Sequence, residues 1–352
     1  MKNYYHAAGA LLLLAATASC RHNETAPTLW VEQPTGQALA GVQQLAFASP
    51  QAGWLVGGYR TAPAAGTRAF GSLLRTTDGG STWADIDLTP TQTANSFRSF
   101  YPVSDQLIYG VADDLPLSLV RGAKSRFVYK SQDGGQTWQR LPSTGFFDGA
   151  IAFPTAQVGV APYSFAISRT TDGGSTWQPV WDGTPQRSWV DRVQFPTATI
   201  GYATGNCVLK TTDQGQTWQA LPWTHGLVNQ MAFVDANVGF AQTISGVICD
   251  PGPCSGPAVP SALYRTQDGG QTWQLLQSPA DGTYAFVSAQ EFYRAGKTIE
   301  HTRDAGQTWQ TEYALASTAS TSPISFVSLS FPTPTAGYAV TNDGLVVKRQ
   351  LP

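Results

Sequence analysis

The chain has 352 residues, 42% hydrophobic and only 12% charged, with 21 basic and 23 acidic side chains. Charged residues are about half as frequent as the ~25% usual in soluble domains, yet beyond the N-terminus no apolar run approaches the ~20 residues that span a bilayer. A formal net charge of −2 argues against a nucleic-acid footprint, and the apolar content argues against disorder.

The first element is an address. Lys2 and the apolar stretch Ala7–Ala18, ending in Thr17-Ala18-Ser19-Cys20, have the make-up of a signal peptide. A Cys directly after small residues resembles the lipobox of bacterial lipoproteins. That resemblance implies cleavage before Cys20, lipidation of Cys20, and an extracytoplasmic protein tethered to an envelope membrane, the outer membrane by expectation. The expected organisation is therefore a signal peptide at 1–19, a tether at 20–27 and one domain at 28–352. Of the remaining cysteines, Cys249 and Cys254 flank Asp-Pro-Gly-Pro and could close a small disulfide in an oxidising compartment, while Cys207 reads as a buried thiol.

From there on a repeat governs the chain. Ser/Thr-x-Asp-x-Gly-x-Thr-Trp occurs six times, at Thr76–Trp83, Ser131–Trp138, Thr170–Trp177, Thr211–Trp218, Thr266–Trp273 and Thr302–Trp309. Asp78, Asp133, Asp172, Asp213, Asp268 and Asp304 each cap a hairpin turn, Gly supplies a positive φ, and Trp plugs the core once per repeat. An aromatic followed six residues later by Gly precedes most boxes: Phe47/Gly53, Phe153/Gly159, Phe195/Gly201, Phe233/Gly239 and Phe331/Gly337. Divergent copies start at Tyr101 and Phe286, with Leu107 and Phe292 in place of Gly. Seven starts against six boxes predict an all-β, seven-bladed propeller of four-stranded antiparallel blades. Thr28-Leu29-Trp30-Val31 then supplies the outer strand missing from the last blade, with Trp30 as the seventh box Trp.

With strands lettered A to D from the axis outward, antiparallel order places A–B turns and Asp boxes on one face. The B–C and D–A loops then share the other. The long stretches 59–70, 112–127 and 245–260 are B–C insertions on that second face. Trp181, Trp189 and Trp223 are the three Trp that the repeat does not explain; they fall in D–A loops, either to bind a partner or to seal blade junctions. Strand A lines the channel, where Arg98 and Arg192 sit three residues before the aligned aromatic, beside Asp191. His225 follows Trp223. These residues are the candidate binding set.

The boxes are those of sialidases, sortilin-type receptors and photosystem II assembly factors. Sialidases also bring an Arg-Ile-Pro segment, three substrate-binding Arg and a Tyr/Glu pair, and no Arg-Ile-Pro occurs here. Nor is there a carboxylate pair in a glycosidase constellation, a Ser/His/Asp elbow or metal-ligand spacing, so no catalysis, cofactor or metal is expected. Across 28–350 the phrase typified by Gly201-Tyr202-Ala203 and Lys210-Thr211-Thr212-Asp213 through Trp218 most resembles the photosystem II stability/assembly factor-like family. The resemblance implies a non-enzymatic propeller whose photosynthetic members bind a membrane-protein precursor through an Arg-rich patch, for which Arg98 and Arg192 are the candidates. The expected function is a lipid-anchored scaffold for an envelope protein partner; the alternative is a glycan-binding or sialidase-like propeller.

Overall fold

Each Gly of the aromatic-x5-Gly pairs stands at the start of a strand B, as its first residue or, for Gly337, its second, and the ring of its own aromatic folds over the bare Cα. A Cβ on Gly53, Gly159, Gly201, Gly239 or Gly337 would lie within 2.6 Å of the ring of Phe47, Phe153, Phe195, Phe233 or Phe331. Gly201→Ala, 2.5 Å from Phe195, is therefore expected to destabilise by roughly 1–3 kcal/mol through overpacking. Gly296→Ala, with nothing within 4 Å, serves as the neutral control in urea unfolding.

In the computed structural model these hairpins assemble into seven sheets. The structure describes residues 29–36, 39–60, 71–86, 97–113, 126–142, 150–163, 165–245, 260–316 and 323–350. Blade 1 runs Leu39–Phe47, Gly53–Arg60, Gly71–Thr76 and Ala84–Asp85, each strand paired with the next, and blades 2, 4, 5 and 6 repeat that order. In blade 3 the innermost strand is reduced to a bridge, Ala152 to Val160. Blade 7 joins the chain ends: Phe326–Thr333, Ala336–Thr341 and Val346–Arg349 are completed by Trp30–Gln33, with Trp30 opposite Arg349. Trp30 lies edge-on to Phe331 at 6.2 Å, as Trp83 does to Phe47. It is the seventh box Trp, supplied from the other end of the chain. The Cys20, Cys249 and Cys254 expectations and nearly all of the three B–C insertions lie outside the described residues.

The boxes close as hydrogen-bonded turns. Asp78 accepts from the Thr76 hydroxyl at 2.8 Å, the Thr82 amide at 2.9 Å and the Thr82 hydroxyl at 2.6 Å, while Gly80 N–H donates to Thr76 Oγ1 at 2.8 Å. The threonine hydroxyl and amide four residues on hold Asp78, Asp172, Asp268 and Asp304 at a pKa of about 2, and Asp213 reaches about 2 against a larger opposing effect of burial. The folded value lies below the ordinary 3.8, so this stabilisation is complete above that value and is lost as the pH falls through about 2. Thermal stability is expected to hold down to about pH 5 and to fall cooperatively below ~4. Melts across that range should flatten when box Asp are changed to Asn.

The box face is confirmed by its bonds. The amides of Gly79, Gly134, Gly173, Gln214, Gly269 and Ala305 donate to carbonyls of Gln51, Gln106, Gln157, Thr199, Asn237 and Gln290, in the A–B turns of the same blades. Gln214 and Ala305 hold there the positive φ taken by glycine in the other boxes.

Register corrects one sequence expectation. In blade 2 it is Pro102 and Ile108, not Tyr101 and Leu107, that pair as Phe47 and Gly53 do. Ile108 carries a Cβ that would block a folded-over ring, so Phe97 and Phe100 supply the aromatic packing against Trp138 instead. Arg98 consequently shares the bulge position of Asp191 and Asn229, and Ser99 takes the channel position of Gln44, Gln230 and Ser328.

Those four channel side chains stitch the ring. Gln44 Nε2 donates to Phe100 O at 3.0 Å, Ser99 Oγ accepts from Ile151 N at 3.3 Å, and Ser328 Oγ accepts from Leu45 N at 3.1 Å. Gln230 takes both Tyr284 carbonyl and amide, at 2.6 and 3.1 Å. In every case the partner is the backbone of the next blade's innermost strand. The polarity of these four channel positions is thus structural.

Candidate binding face of blades 3 to 5

Two D–A loops are hydrogen-bonded to three B–C turns opposite the boxes. Gly183 N–H donates to Phe165 O at 2.7 Å, Asn206 N–H to Trp189 O at 3.2 Å, and Ile244 N–H to Leu227 O at 3.2 Å. The Asn206 side chain adds an accepted bond from Trp189 N, at 2.7 Å, and a donated one to Arg187 O, at 3.1 Å. The loop between blades 3 and 4 begins with one turn of 3-10 helix, Thr184–Gln186, with Pro185 inside it and Asp182 Oδ1 accepting from Thr184 N at 2.8 Å. It ends on Arg187 in the left-handed region, at φ 53°. Outside the boxes Arg187 is the one non-glycine residue with positive φ among the described residues. Its side chain is exposed.

The sequence candidates divide by what they touch. Trp181 is half-buried against Ile167, Val190 and Leu209 at the junction of blades 3 and 4. Trp189 is half-buried over the Gly205-Asn206 turn, where a Cβ on Gly205 would meet its ring at 2.8 Å. Trp223 donates to Gly226 O at 2.6 Å and meets Trp273 and Tyr264 edge-on at 5.3 and 5.9 Å. His225 stacks on Tyr264 at 4.3 Å, and burial lowers its pKa. Trp223 and His225 thus pack the junction of blades 4 and 5.

Asp191 and Arg192 begin strand A of blade 4 together. Arg192 is exposed. Burial pushes the Asp191 carboxyl upward while Arg192 opposes the shift, and its buried Oδ1 has no hydrogen-bond partner among the described residues. Arg98 belongs to the strand Phe97–Pro102 of blade 2, away from this group, and its side chain is outside the described residues. Cys207 is a half-buried free thiol whose pKa burial pushes up to about 11, which keeps it protonated and unreactive.

Sequence reasoning missed three apolar residues on this face. Phe165, Leu227 and Ile244 are 38%, 37% and 43% exposed, and the other large exposed hydrophobics among the described residues, Val31 and Leu275, lie on outer strands. The available signal was their position: each is a large apolar residue in a turn or loop, where a polar one would ordinarily stand.

Glu291 and Glu312 are bridged by His301, at 2.9 Å on each ring nitrogen, but Glu312 and His301 are buried inside the junction of blades 6 and 7. Among the described residues no group of three or more His, Cys, Asp or Glu is placed to hold a metal ion.

Residues 129–140 and 264–275 match the BNR/Asp-box repeat model. The chain is an Asp-box β-propeller. No curated protein sequence matches it significantly. The propeller resembles YCF48 bound to D1 peptide, with 19% identity, a TM-score of 0.61 and coverage of 92% of this chain and 96% of that one. YCF48 from Cyanidioschyzon merolae gives 18%, 0.61, 91% and 98%. A GH74 xyloglucanase from Xanthomonas campestris gives 16% and 0.65, with 92% of this chain aligned to 53% of the enzyme. These likenesses concern the fold.

Proposed function

We propose that the propeller is a non-catalytic, lipid-anchored envelope protein that docks a protein partner on the face opposite its Asp boxes, across blades 3 to 5. The observation that carries this reading is the gathering of exposed Phe165, Leu227 and Ile244 on that face. The same loops and strand ends carry half-buried Trp189 and the exposed cations Arg187 and Arg192. Apolar anchors ringed by polar groups favour a peptide or protein surface. The two arginines favour an acidic group beside the apolar side chains of the partner. YCF48, which shares the fold, was solved with a peptide bound, and this supports a protein over a sugar as ligand.

The anchor is compatible with this arrangement. Leu29 meets the end of strand C in blade 7, where its carbonyl accepts from Gln350 N at 2.7 Å. In the other blades that end carries the boxes, so a tether from Cys20 would reach the fold from the box side and leave the opposite face free.

Photo-crosslinking amino acids at Phe165 and Ile244, with Ser81 on the box face as control, test the reading in intact cells. The same partner band from the first two positions and not from Ser81 is expected. Equal crosslinking from all three would remove the proposed face.

A further inference from the structure

Ring closure runs through one histidine that has a carboxylate on each side. His301 stands on strand C of blade 6, Glu312 on strand D, and Glu291 in the turn just before strand B. His301 Nδ1 lies 2.9 Å from Glu312 Oε1, and Nε2 lies 2.9 Å from Glu291 Oε1. The imidazole and Glu312 are buried, while the Glu291 side chain is 34% exposed. Glu312 carries the connection on to the closing strand, because its Oε2 accepts from Trp30 Nε1 at 2.9 Å and from Arg349 Nε at 3.5 Å.

Counting protons restricts this arrangement. A neutral imidazole has one N–H and one lone pair, so it donates to only one of two carboxylates. Its bare nitrogen then faces the lone pairs of the other, in a buried site where the repulsion is poorly screened. An imidazolium donates to both. Charge agrees with the proton count. The ionisable groups against the ring are Glu291, Glu312 and the Tyr293 phenol stacked on it at 4.2 Å, with Arg349 across Glu312 and exposed Arg303 beyond Tyr293. With His301 charged, the two carboxylates balance His301 and Arg349; with it neutral, one negative charge is left over in the seam. The aromatic face of Tyr293 likewise favours a cation stacked on it.

We propose that His301 is a proton-controlled latch of the ring, closing the seam between blades 6 and 7 as the imidazolium and loosening it on loss of the second proton. The latch acts on the N-terminal strand, because the carboxylate that His301 holds is the one that Trp30 bonds. Protons leave as the pH rises, so this closure weakens on the alkaline side, whereas the Asp boxes weaken on the acid side. The device is independent of what docks on the face opposite the boxes.

The test uses Glu291→Gln. A glutamine amide offers an N–H to a bare Nε2, so a neutral ring keeps both its partners and no second proton is needed. In the full chain labelled with nitrogen-15 at His and Trp, the His301 ring nitrogens report protonation. Deuterium exchange at Trp30 Nε1 reports the seam, from about pH 5 to pH 9, a range that brackets imidazole titration. Trp54 Nε1, buried on Gly134 O in another blade, corrects for the general pH dependence of indole exchange. In the wild type, protection of Trp30 relative to Trp54 is expected to fall roughly tenfold or more as His301 passes from two protons to one, the population shift of one charge-assisted hydrogen bond. In Glu291→Gln the ring should lose its proton with the protection of Trp30 held. Equal pH profiles of Trp30 protection in the two proteins would overturn the proposal, as would a wild-type His301 that carries a single proton while the seam stays fully protected.

Discussion

Replacing Glu312 by Ala is expected to lower the unfolding free energy by about 3–5 kcal/mol, the usual cost of stranding buried charged partners. Glu312 Oε1 binds His301 Nδ1 at 2.9 Å, while Oε2 accepts from Trp30 Nε1 at 2.9 Å and from Arg349 Nε at 3.5 Å. Both carboxylate oxygens are thus committed inside the junction that closes the ring. Burial alone would push this carboxyl's pKa up, but hydrogen bonds from His301 and Trp30 and the Arg349 charge more than offset it and lower it. Removing the carboxylate leaves an indole N–H, an imidazole and a guanidinium with unmet needs, and Arg349 and His301 are 7% and 3% exposed. Trp30→Ala should cost a similar ~3–5 kcal/mol by cavity formation. The two losses should be less than additive, because they break the same latch. Urea unfolding of the single and double variants measures this. Full additivity would mean that Trp30 and Glu312 act separately and that the closure has no shared network.

The second large effect concerns binding. Trp189→Ala and Ile244→Ala, each on the face opposite the boxes, are expected to weaken partner affinity by roughly 10- to 100-fold, the range of aromatic and apolar hot spots. Trp223→Ala should act differently. Its indole is spent on Gly226, Tyr264 and Trp273, so stability should fall by about 3 kcal/mol before affinity does. Arg187→Ala and Arg192→Ala should mainly slow association and reduce its salt dependence, as expected of charges at an interface rim. Titration of each variant against the crosslinked partner, with melting curves beside it, separates the cases. Wild-type affinity in both Trp189→Ala and Ile244→Ala would sink the docking face.

The strand-A stitching shows what local patterns near the axis leave open. Gln44, Ser99, Gln230 and Ser328 are polar, but nothing beside them in the sequence says what they meet. Their partners are backbone groups of the neighbouring blade, tens of residues or a whole ring away. Arg98 shows the same limit on a smaller scale. Ile108 in place of the glycine shifts blade 2 by one residue, and a one-residue shift changes which side of the strand a side chain faces.

Blade count, box turns, paired faces and closure through Trp30 were legible in the residues alone, because each rests on chemistry contained in one short segment and repeated. A Thr-x-Asp-x-Gly-x-Thr-Trp turn satisfies its own hydrogen bonds within eight residues, and an aromatic needs only the bare glycine six residues on. Assembly of the whole ring fixes which polar groups join blades and which apolar side chains stay exposed. It alone brought Glu312 to Trp30, 282 residues apart, and left the Tyr293 hydroxyl buried with no described partner at the seam. Ring closure joins segments without regard to their separation along the chain, so the contacts that lock the ring carry no local pattern to read.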